Sequence, residues 1–225
     1  MLERGIMLKM IEIKHLKIEG KMGYDIKIRK KYATIQNLLE NLNRFIEQEP
    51  LQRLWPPGRS NCYGCDLCCY ERIPLTSIDV KQIMDFKGIS LIGVFKYLWV
   101  EAQEKAIDIS LRRKRDGSCT FLQSNGTCAI YEKRPFVCQT YICCPSTAEV
   151  NELRSQVVNQ GMDELVRISL QAFALRGQTL PLNFSLRPRI RSEDWGKNVF
   201  SGKEDYSQIL LRKVLSSDLF EQMLL

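Results

Sequence analysis

Residues 62–69 have the sequence Cys-Tyr-Gly-Cys-Asp-Leu-Cys-Cys, which places four cysteines within eight positions. Thiolates separated by two residues on a glycine-containing turn can bind a single ion, because the loop directs both sulfurs to one side. The remaining cysteines are Cys119, Cys128, Cys138, Cys143 and Cys144. The pattern predicts a metal centre that gathers sulfur from separate parts of the chain.

The composition is that of an ordinary soluble globular protein, with 44% hydrophobic and 26% charged residues in a chain of 225. No run of about 18 uncharged apolar residues occurs, so the sequence predicts no membrane span. The N-terminal residues carry charges every few positions and lack the apolar core of a secretory signal. We therefore expect a cytoplasmic protein, in whose reducing surroundings clustered cysteines act as metal ligands or redox groups more often than as disulfides.

The net charge of +7 is partly concentrated in three basic stretches, residues 27–31, 112–115 and 187–191. Such stretches can bind nucleic acid or an acidic protein partner. They can equally be solvated surfaces, or can offset the negative charge of four thiolates around a divalent ion. The sequence leaves these alternatives open.

Periodicity predicts an α+β fold with short hairpins, in which C-terminal helices cover a small cysteine-rich metal domain. Alternating apolar residues predict short antiparallel strands over residues 8–29, and an apolar stripe predicts a helix over 33–48. Proline and glycine between residues 49 and 58 break the pattern. We expect a boundary there, between an N-terminal strand and helix segment, 1–55, and a cysteine-cluster metal-binding domain with C-terminal helices, 56–225.

Further elements are predicted beyond the first cysteine group. Residues 76–79, Thr-Ser-Ile-Asp, have the form of a helix N-cap, and the apolar residues 89–100 indicate a core helix. Asn125-Gly126 predicts a type I′ turn in a hairpin over 119–131. Helices are also expected over 147–175 and 205–223, and no internal repeat is expected.

Four elements of the sequence occur in a recognisable order: Cys62-x2-Cys65-x2-Cys68-Cys69, Leu75-Thr-Ser-Ile-Asp79, Cys119-Thr-Phe-Leu, and residues 128–138, Cys-Ala-Ile-Tyr-Glu-Lys-Arg-Pro-Phe-Val-Cys. Together they resemble the CxxCxxCC, or YkgJ-type, family of zinc- or iron-chelating proteins over roughly residues 60–145. A similar cysteine segment occurs in flagellin lysine methylases. The resemblance implies a metal site formed by Cys62, Cys65, Cys68, Cys69, Cys119, Cys128 and Cys138.

The chain departs from the family pattern after the seventh of these cysteines. The family usually has an arginine there, whereas this chain has Gln139, and its tail adds Cys143 and Cys144. A different arginine precedes the seventh cysteine. Arg134 either donates hydrogen bonds to metal-bound sulfurs or pairs with an acid such as Asp79.

The available donor atoms indicate zinc or iron. His15 is the one histidine and is distant from the cysteines in sequence, so the site is all sulfur or sulfur with a carboxylate such as Asp66. Soft thiolates select zinc, iron–sulfur clusters or Cu(I). Zinc takes four such ligands, and a [4Fe-4S] cluster fits the three cysteines of residues 62–68 with Cys144 before Pro145. Zinc and iron both remain open.

Simple geometry favours more than one centre, or one centre with packed thiols. Side chains of adjacent residues diverge, so Cys68 and Cys69 are not expected to bind one ion together. A regular hairpin would hold Cys119 and Cys128 about 13 Å apart along its strands. These two cysteines are then not expected to share a mononuclear site.

The sequence thus predicts a metal-binding protein that chelates zinc or iron through its cysteine cluster, in a structural or metal-handling role. One alternative is an iron–sulfur enzyme acting in redox chemistry or protein lysine methylation. Another is a metal-stabilised module that binds nucleic acid or a protein partner through residues 112–115. At the metal site, we expect Cys65 to be required for metal retention and Cys143 to be dispensable.

Overall fold

A computed structural model describes residues 10–48 and 65–225 of the chain. The break predicted at residues 49–58, the boundary after residue 55 and Cys62 all lie outside the described residues. The division into 1–55 and 56–225 therefore stays a prediction.

The described N-terminal residues form a hairpin and a helix, as predicted. Strand β1 (Ile11–Ile18) pairs antiparallel with β2 (Lys21–Ile28). The turn between them is Glu19-Gly20, and both residues have positive φ, which is the requirement of a type I′ turn. Helix α1 (Ile35–Gln48) buries its apolar stripe, which confirms the helical spacing seen in the sequence.

Helix α2 (Ser77–Lys87) begins at the predicted N-cap. The Thr76 hydroxyl accepts from the Asp79 N–H while the Asp79 carboxylate accepts from the Thr76 N–H, so the two residues form a capping box. The helix ends at Gly88, whose φ of 62° lies in the left-handed region that glycine favours.

The helix predicted over residues 89–100 is only partly correct. Helix α3 (Leu91–Val94) continues into a 3-10 turn, Phe95–Tyr97, and the chain then enters strand β3 (Leu98–Gln103), which pairs antiparallel with β4 (Ala106–Leu111). From Leu98 onward every second side chain is buried, the pattern of a strand packed on one face. The pairing of β3 with β4 thus determines the structure from Leu98 onward, although the apolar residues before Leu98 have helical spacing.

The C-terminal half consists mainly of helices: α4 (Phe136–Thr140), α5 (Ala148–Ala174), α6 (Leu211–Val214) and α7 (Ser217–Met223). Strand β5 (Phe184–Leu186) joins β3 in parallel, which gives a sheet of order β4-β3-β5. Helix α5 confirms the prediction over 147–175. The single helix predicted over 205–223 is wrong, because Ser216 caps a new helix by accepting from the Leu219 N–H and so separates α6 from α7.

One buried apolar core joins the hairpin to the C-terminal helices. The Leu225 N–H donates to the Ile28 carbonyl, and Leu211 N–H donates to the Ala33 carbonyl. Small sheets and separate helices packed in this way confirm the predicted α+β class. No helix within residues 10–48 and 65–225 is both long enough and apolar enough to cross a membrane.

Candidate metal centre

A compact turn leads directly into Cys119. The Lys114 N–H donates to the Ser118 carbonyl (2.7 Å), and the Gly117 N–H donates back to the Lys114 carbonyl (3.1 Å). The carboxylate of Asp116 accepts from both the N–H (2.9 Å) and the hydroxyl (2.7 Å) of Ser118. Gly117 has a φ of 83°, which glycine adopts without strain.

The same turn is repeated nine residues later and leads into Cys128. The Gln123 N–H donates to the Thr127 carbonyl (2.8 Å), and the Gly126 N–H donates to the Gln123 carbonyl (3.0 Å). The Asn125 side chain accepts from the N–H (3.0 Å) and hydroxyl (2.7 Å) of Thr127. Gly126 has a φ of 80°.

The expectation of no internal repeat is therefore wrong for this segment. Residues 116–119, Asp-Gly-Ser-Cys, and residues 125–128, Asn-Gly-Thr-Cys, are visible in the sequence as the signal of the duplication. The side chains of aspartate and asparagine both accept a hydrogen bond from the backbone N–H two residues later. Serine and threonine at that later position both donate a second hydrogen bond from their hydroxyl. The two copies differ in sequence but make the same hydrogen bonds.

Each copy also presents its cysteine in the same way. The Leu122 N–H donates to the Cys119 carbonyl (3.0 Å), and the Tyr131 N–H donates to the Cys128 carbonyl (3.2 Å). The Phe121 N–H donates to the Cys119 sulfur (3.5 Å), and at Cys128 the effect of burial, which raises the pKa, is opposed by the backbone N–H of Ile130, which lowers it. Amide donors of this kind favour the thiolate over the thiol, so each turn partly opposes the effect of burial, which raises the pKa of its cysteine.

The regular hairpin predicted over residues 119–131 is not formed. The Asn125-Gly126 turn is present, but of these two described residues only Gly126 has a positive φ, so the turn is not of type I′. Leu122 and Cys128 make an isolated bridge rather than part of a ladder. The separation of about 13 Å expected along extended strands therefore does not apply to Cys119 and Cys128.

One small cavity, of about 70 Å³, is lined by the cysteines of several segments. All six sequence-predicted site cysteines that the structure describes contribute to its wall, and so does a seventh cysteine that was expected to be dispensable. The seven are Cys65, Cys68, Cys69, Cys119, Cys128, Cys138 and Cys143. Cys62 lies outside the described residues.

The first cysteine group reaches this cavity from a short 3-10 turn, Leu67–Tyr70. Its position is fixed by hydrogen bonds, since the Cys69 N–H donates to the Asp66 carbonyl (2.8 Å) and the Cys119 N–H donates to the Cys69 carbonyl (2.7 Å). Cys68 and Cys69 both line the cavity, and Cys69 also packs against the hydrophobic core; that the two do not bind one ion together stays a prediction. A hydrogen bond from the Cys69 thiol lowers the pKa of Cys68 to about 7, against the effect of burial, and the same interaction raises the pKa of Cys69.

Three further thiols of the cavity wall, those of Cys119, Cys128 and Cys138, hold their protons more tightly than free cysteine does. Burial raises the pKa of Cys119 and Cys128, and raises that of Cys138 well above its usual value. A cation in the cavity would reverse this preference, since a thiol that binds a metal ion gives up its proton. The donor set therefore fits a soft cation.

Arg134 lies at the wall of the same cavity. Its guanidinium carbon is 3.8 Å from the centroid of the Tyr131 ring, and Nη2 donates to Asn43 (3.4 Å). The Nε atom is buried and has no hydrogen-bond partner among the described residues. The Nε–H group is a donor of a cationic side chain, and it lies at a cavity lined by several sulfurs. This arrangement fits an anionic metal–thiolate centre.

The alternative pairing of Arg134 with Asp79 is wrong. Asp79 instead accepts hydrogen bonds from the N–H of Thr76 (2.9 Å), the N–H of Phe136 (2.8 Å) and the hydroxyl of Tyr206 (2.7 Å). These contacts fix the start of α4, the helix that carries Cys138.

Other candidate ligands and patches lie elsewhere. His15 is in β1, where its ring centroid is 4.9 Å from that of Phe45. Asp66 is not among the described residues of the cavity wall, which favours an all-sulfur site.

In the basic stretch 112–115, Arg112 donates to the Leu98 carbonyl (3.1 Å) and Lys114 to the Leu122 carbonyl. Two of its four cations thus support the local fold.

The thiols surround the cavity without being gathered around one point. Within residues 10–48 and 65–225, no group of three or more His, Cys, Asp or Glu side chains is arranged to hold a metal ion. Binding of one ion by these cysteines therefore requires their sulfurs to move closer together.

Comparison with known proteins identifies the segment that contains this cavity. Residues 61–158 match the model of the CxxCxxCC family, described as "putative zinc- or iron-chelating domain", which confirms the resemblance noted in the sequence. No curated protein and no solved structure matches the chain.

Proposed function

We propose that the CxxCxxCC domain of this chain chelates zinc or iron through its cysteine cluster, with Cys65, Cys68, Cys69, Cys119, Cys128 and Cys138, together with Cys62, as the ligand set. The observation that carries this proposal is the convergence of all six described motif cysteines on one cavity of about 70 Å³. The family match gives the same two metals.

The bound ion would fasten together the separate segments that carry the cysteines. Its contribution is electrostatic, since a divalent cation neutralises thiolates that burial alone would keep protonated. Three elements carry these ligands. The duplicated turn carries Cys119 and Cys128, the 3-10 turn carries Cys68 and Cys69, and α4 carries Cys138. Arg134 would offset the remaining negative charge. We place the protein in the cytoplasm, where these thiols stay reduced.

The test is metal analysis of protein purified without oxygen. Zinc, iron and acid-labile sulfide are measured in the wild type and in Cys119→Ser and Cys128→Ser. We expect a bound metal in the wild type and a similar loss in both variants, because the two cysteines occupy equivalent positions. Cys144→Ser is the control, because Cys144 is not among the described residues of the cavity wall.

Two results would contradict the proposal. One is a wild-type protein that contains neither metal and that, after reduction, binds neither Zn(II) nor Fe(II). The other is full metal retention in both serine variants. Iron with an equal amount of sulfide, in a brown protein that dithionite bleaches, would identify an iron–sulfur cluster, whereas a colourless zinc protein would identify a zinc centre.

A further inference from the structure

From the sequence, Cys144 before Pro145 was a candidate ligand of an iron–sulfur cluster and Cys143 was expected to be dispensable; the cavity wall favours the opposite assignment. Among the described residues that line the cavity, Cys143 is present and Cys144 is not. Both cysteines are partly buried. Neither belongs to the seven-cysteine motif, which ends at Cys138.

The segment that carries Cys143 is held firmly on its N-terminal side. The Thr140 carbonyl accepts hydrogen bonds from the Tyr24 hydroxyl (3.3 Å) and from Arg154 Nη1 (3.2 Å). Ile142, the residue directly before Cys143, is buried in the core. The backbone therefore enters position 143 in a fixed direction.

The segment is held on its C-terminal side as well. The Tyr24 N–H donates to the Pro145 carbonyl (3.0 Å), and Arg154 Nη2 donates to the Ser146 hydroxyl (2.7 Å). Strand β2 approaches so closely that a Cβ atom on Gly23 would lie 2.5 Å from the Pro145 oxygen. Hydrogen bonds on both sides of Cys143 thus fix the backbone that brings this residue to the cavity wall.

We propose that Cys143 is an additional metal-binding thiolate of this centre, outside the family motif, and that Cys144 is not a ligand. This inference rests on the proposed chelation, and it revises the sequence-based expectation that Cys143 is dispensable. A tetrahedral ion uses four thiolates. A further thiolate at the same cavity lets one sulfur replace another while the ion stays bound, which suits a protein that handles metal.

The test compares Cys143→Ser with the adjacent control Cys144→Ser. Zn(II) is added to reduced, metal-free protein in competition with a chromophoric chelator. We expect Cys143→Ser to weaken Zn(II) binding by about tenfold or more and Cys144→Ser to leave it unchanged. With Co(II) as the probe, the sulfur-to-metal charge-transfer absorption should decrease in Cys143→Ser alone.

A second measurement needs no variant. Wild-type protein is alkylated with and without bound Zn(II), and the labelled positions are read by mass spectrometry; Zn(II) should protect Cys143 and leave Cys144 reactive. Equal Zn(II) affinity of the two variants, or labelling of Cys143 that Zn(II) does not change, would overturn the inference while the proposed chelation stands. A wild type that binds no Zn(II) or Fe(II) would remove both.

Discussion

The Tyr206 hydroxyl donates a 2.7 Å hydrogen bond to the Asp79 carboxylate, although the two residues lie 127 positions apart. The same hydroxyl lies 2.6 Å from the Thr76 hydroxyl, and all three side chains are fully buried. Asp79 also accepts from the Phe136 N–H at the start of α4. One carboxylate therefore links the start of α2, the helix that carries Cys138 and the C-terminal segment.

Replacement of Tyr206 by phenylalanine should destabilise the protein by about 1–3 kcal/mol, because the buried Asp79 carboxylate and the buried Thr76 hydroxyl each lose one hydrogen-bond partner away from water. Urea unfolding measures the change in the free energy of unfolding. Tyr32→Phe is the control, since the Tyr32 side chain is 52% exposed and should lose little. Equal stabilities of the two variants would show that the buried hydroxyl contributes nothing.

The stability of the protein should also depend on pH through Asp79. Burial raises the pKa of this carboxyl above its usual value, against the opposing hydrogen bonds from Thr76, Tyr206 and Phe136. The folded protein then holds the proton more tightly than the unfolded chain, so the Asp79 contribution is full below about pH 4 and declines as the pH rises towards the folded pKa. The advantage of wild type over Asp79→Asn should therefore shrink from pH 4 to pH 7.

Urea unfolding of both proteins at several pH values tests this expectation. Other titrating groups, including the cysteines, are shared, so their pH dependence cancels in the difference between wild type and variant. A difference that stays constant, or that grows as the pH rises, would contradict the raised pKa.

Local signals in the sequence were sufficient for some elements and insufficient for others. The alternating apolar residues of β1 and β2, the apolar stripe of α1 and the helix N-cap at Thr76 each depend on neighbouring residues, and each was predicted. Strand β3 was taken for a helix because its apolar residues follow a helical stripe; its partner β4 decides the structure. The spacing of apolar residues within one segment does not indicate which distant segment that segment pairs with.

The candidate site shows the same limit. Cysteine spacing predicted that sulfur from separate segments is gathered, and the described motif cysteines line one cavity, but a regular hairpin was expected to hold Cys119 and Cys128 apart, and two successive turns replace it. The wall position of Cys143 depends on contacts of its segment with Tyr24 and Arg154. The duplicated turn was visible in the sequence and was missed, because the two copies are not identical. Aspartate and asparagine accept the same hydrogen bonds, and serine and threonine donate the same ones.

The thiol of Cys69 should control the reactivity of Cys68. The hydrogen bond from Cys69 lowers the pKa of Cys68 to about 7 while burial acts in the opposite direction. In reduced, metal-free protein, Cys69→Ala should therefore raise the pKa of Cys68 well above 7, and Cys69→Ser, which keeps a hydroxyl donor, should raise it less. Because the thiolate is the nucleophile, the pH dependence of alkylation at Cys68, read by mass spectrometry, measures the shift. An unchanged profile in Cys69→Ala would contradict the assigned hydrogen bond.

Gly161 of α5 should not tolerate a side chain. A Cβ atom there would lie 2.5 Å from the Cβ and Cγ2 atoms of Thr76, the residue that caps α2. Alanine normally stabilises a helix by up to about 1 kcal/mol relative to glycine, but overpacking costs about 1–3 kcal/mol, so Gly161→Ala should be destabilising in urea unfolding. Gly196→Ala is the control, since its Cβ meets nothing within 4 Å and should be neutral or slightly stabilising. A stable Gly161→Ala would show that α2 and α5 can separate without cost.

Removal of the metal should destabilise the cysteine segments more than the N-terminal hairpin. A ligand that binds only the folded state stabilises it, and more so the higher its affinity, and the ligand atoms proposed above belong to residues 62–143. Treatment with a chelator should therefore lower the melting temperature and increase amide hydrogen exchange in the duplicated turn, residues 114–131, while β1 and β2 keep the hydrogen bonds of their own ladder. Cys65→Ser supplies the control, because a variant that has already lost its metal should respond little to the chelator. A uniform increase in exchange along the described chain, or an identical response of wild type and Cys65→Ser, would show that the cysteine cluster is not where the metal acts.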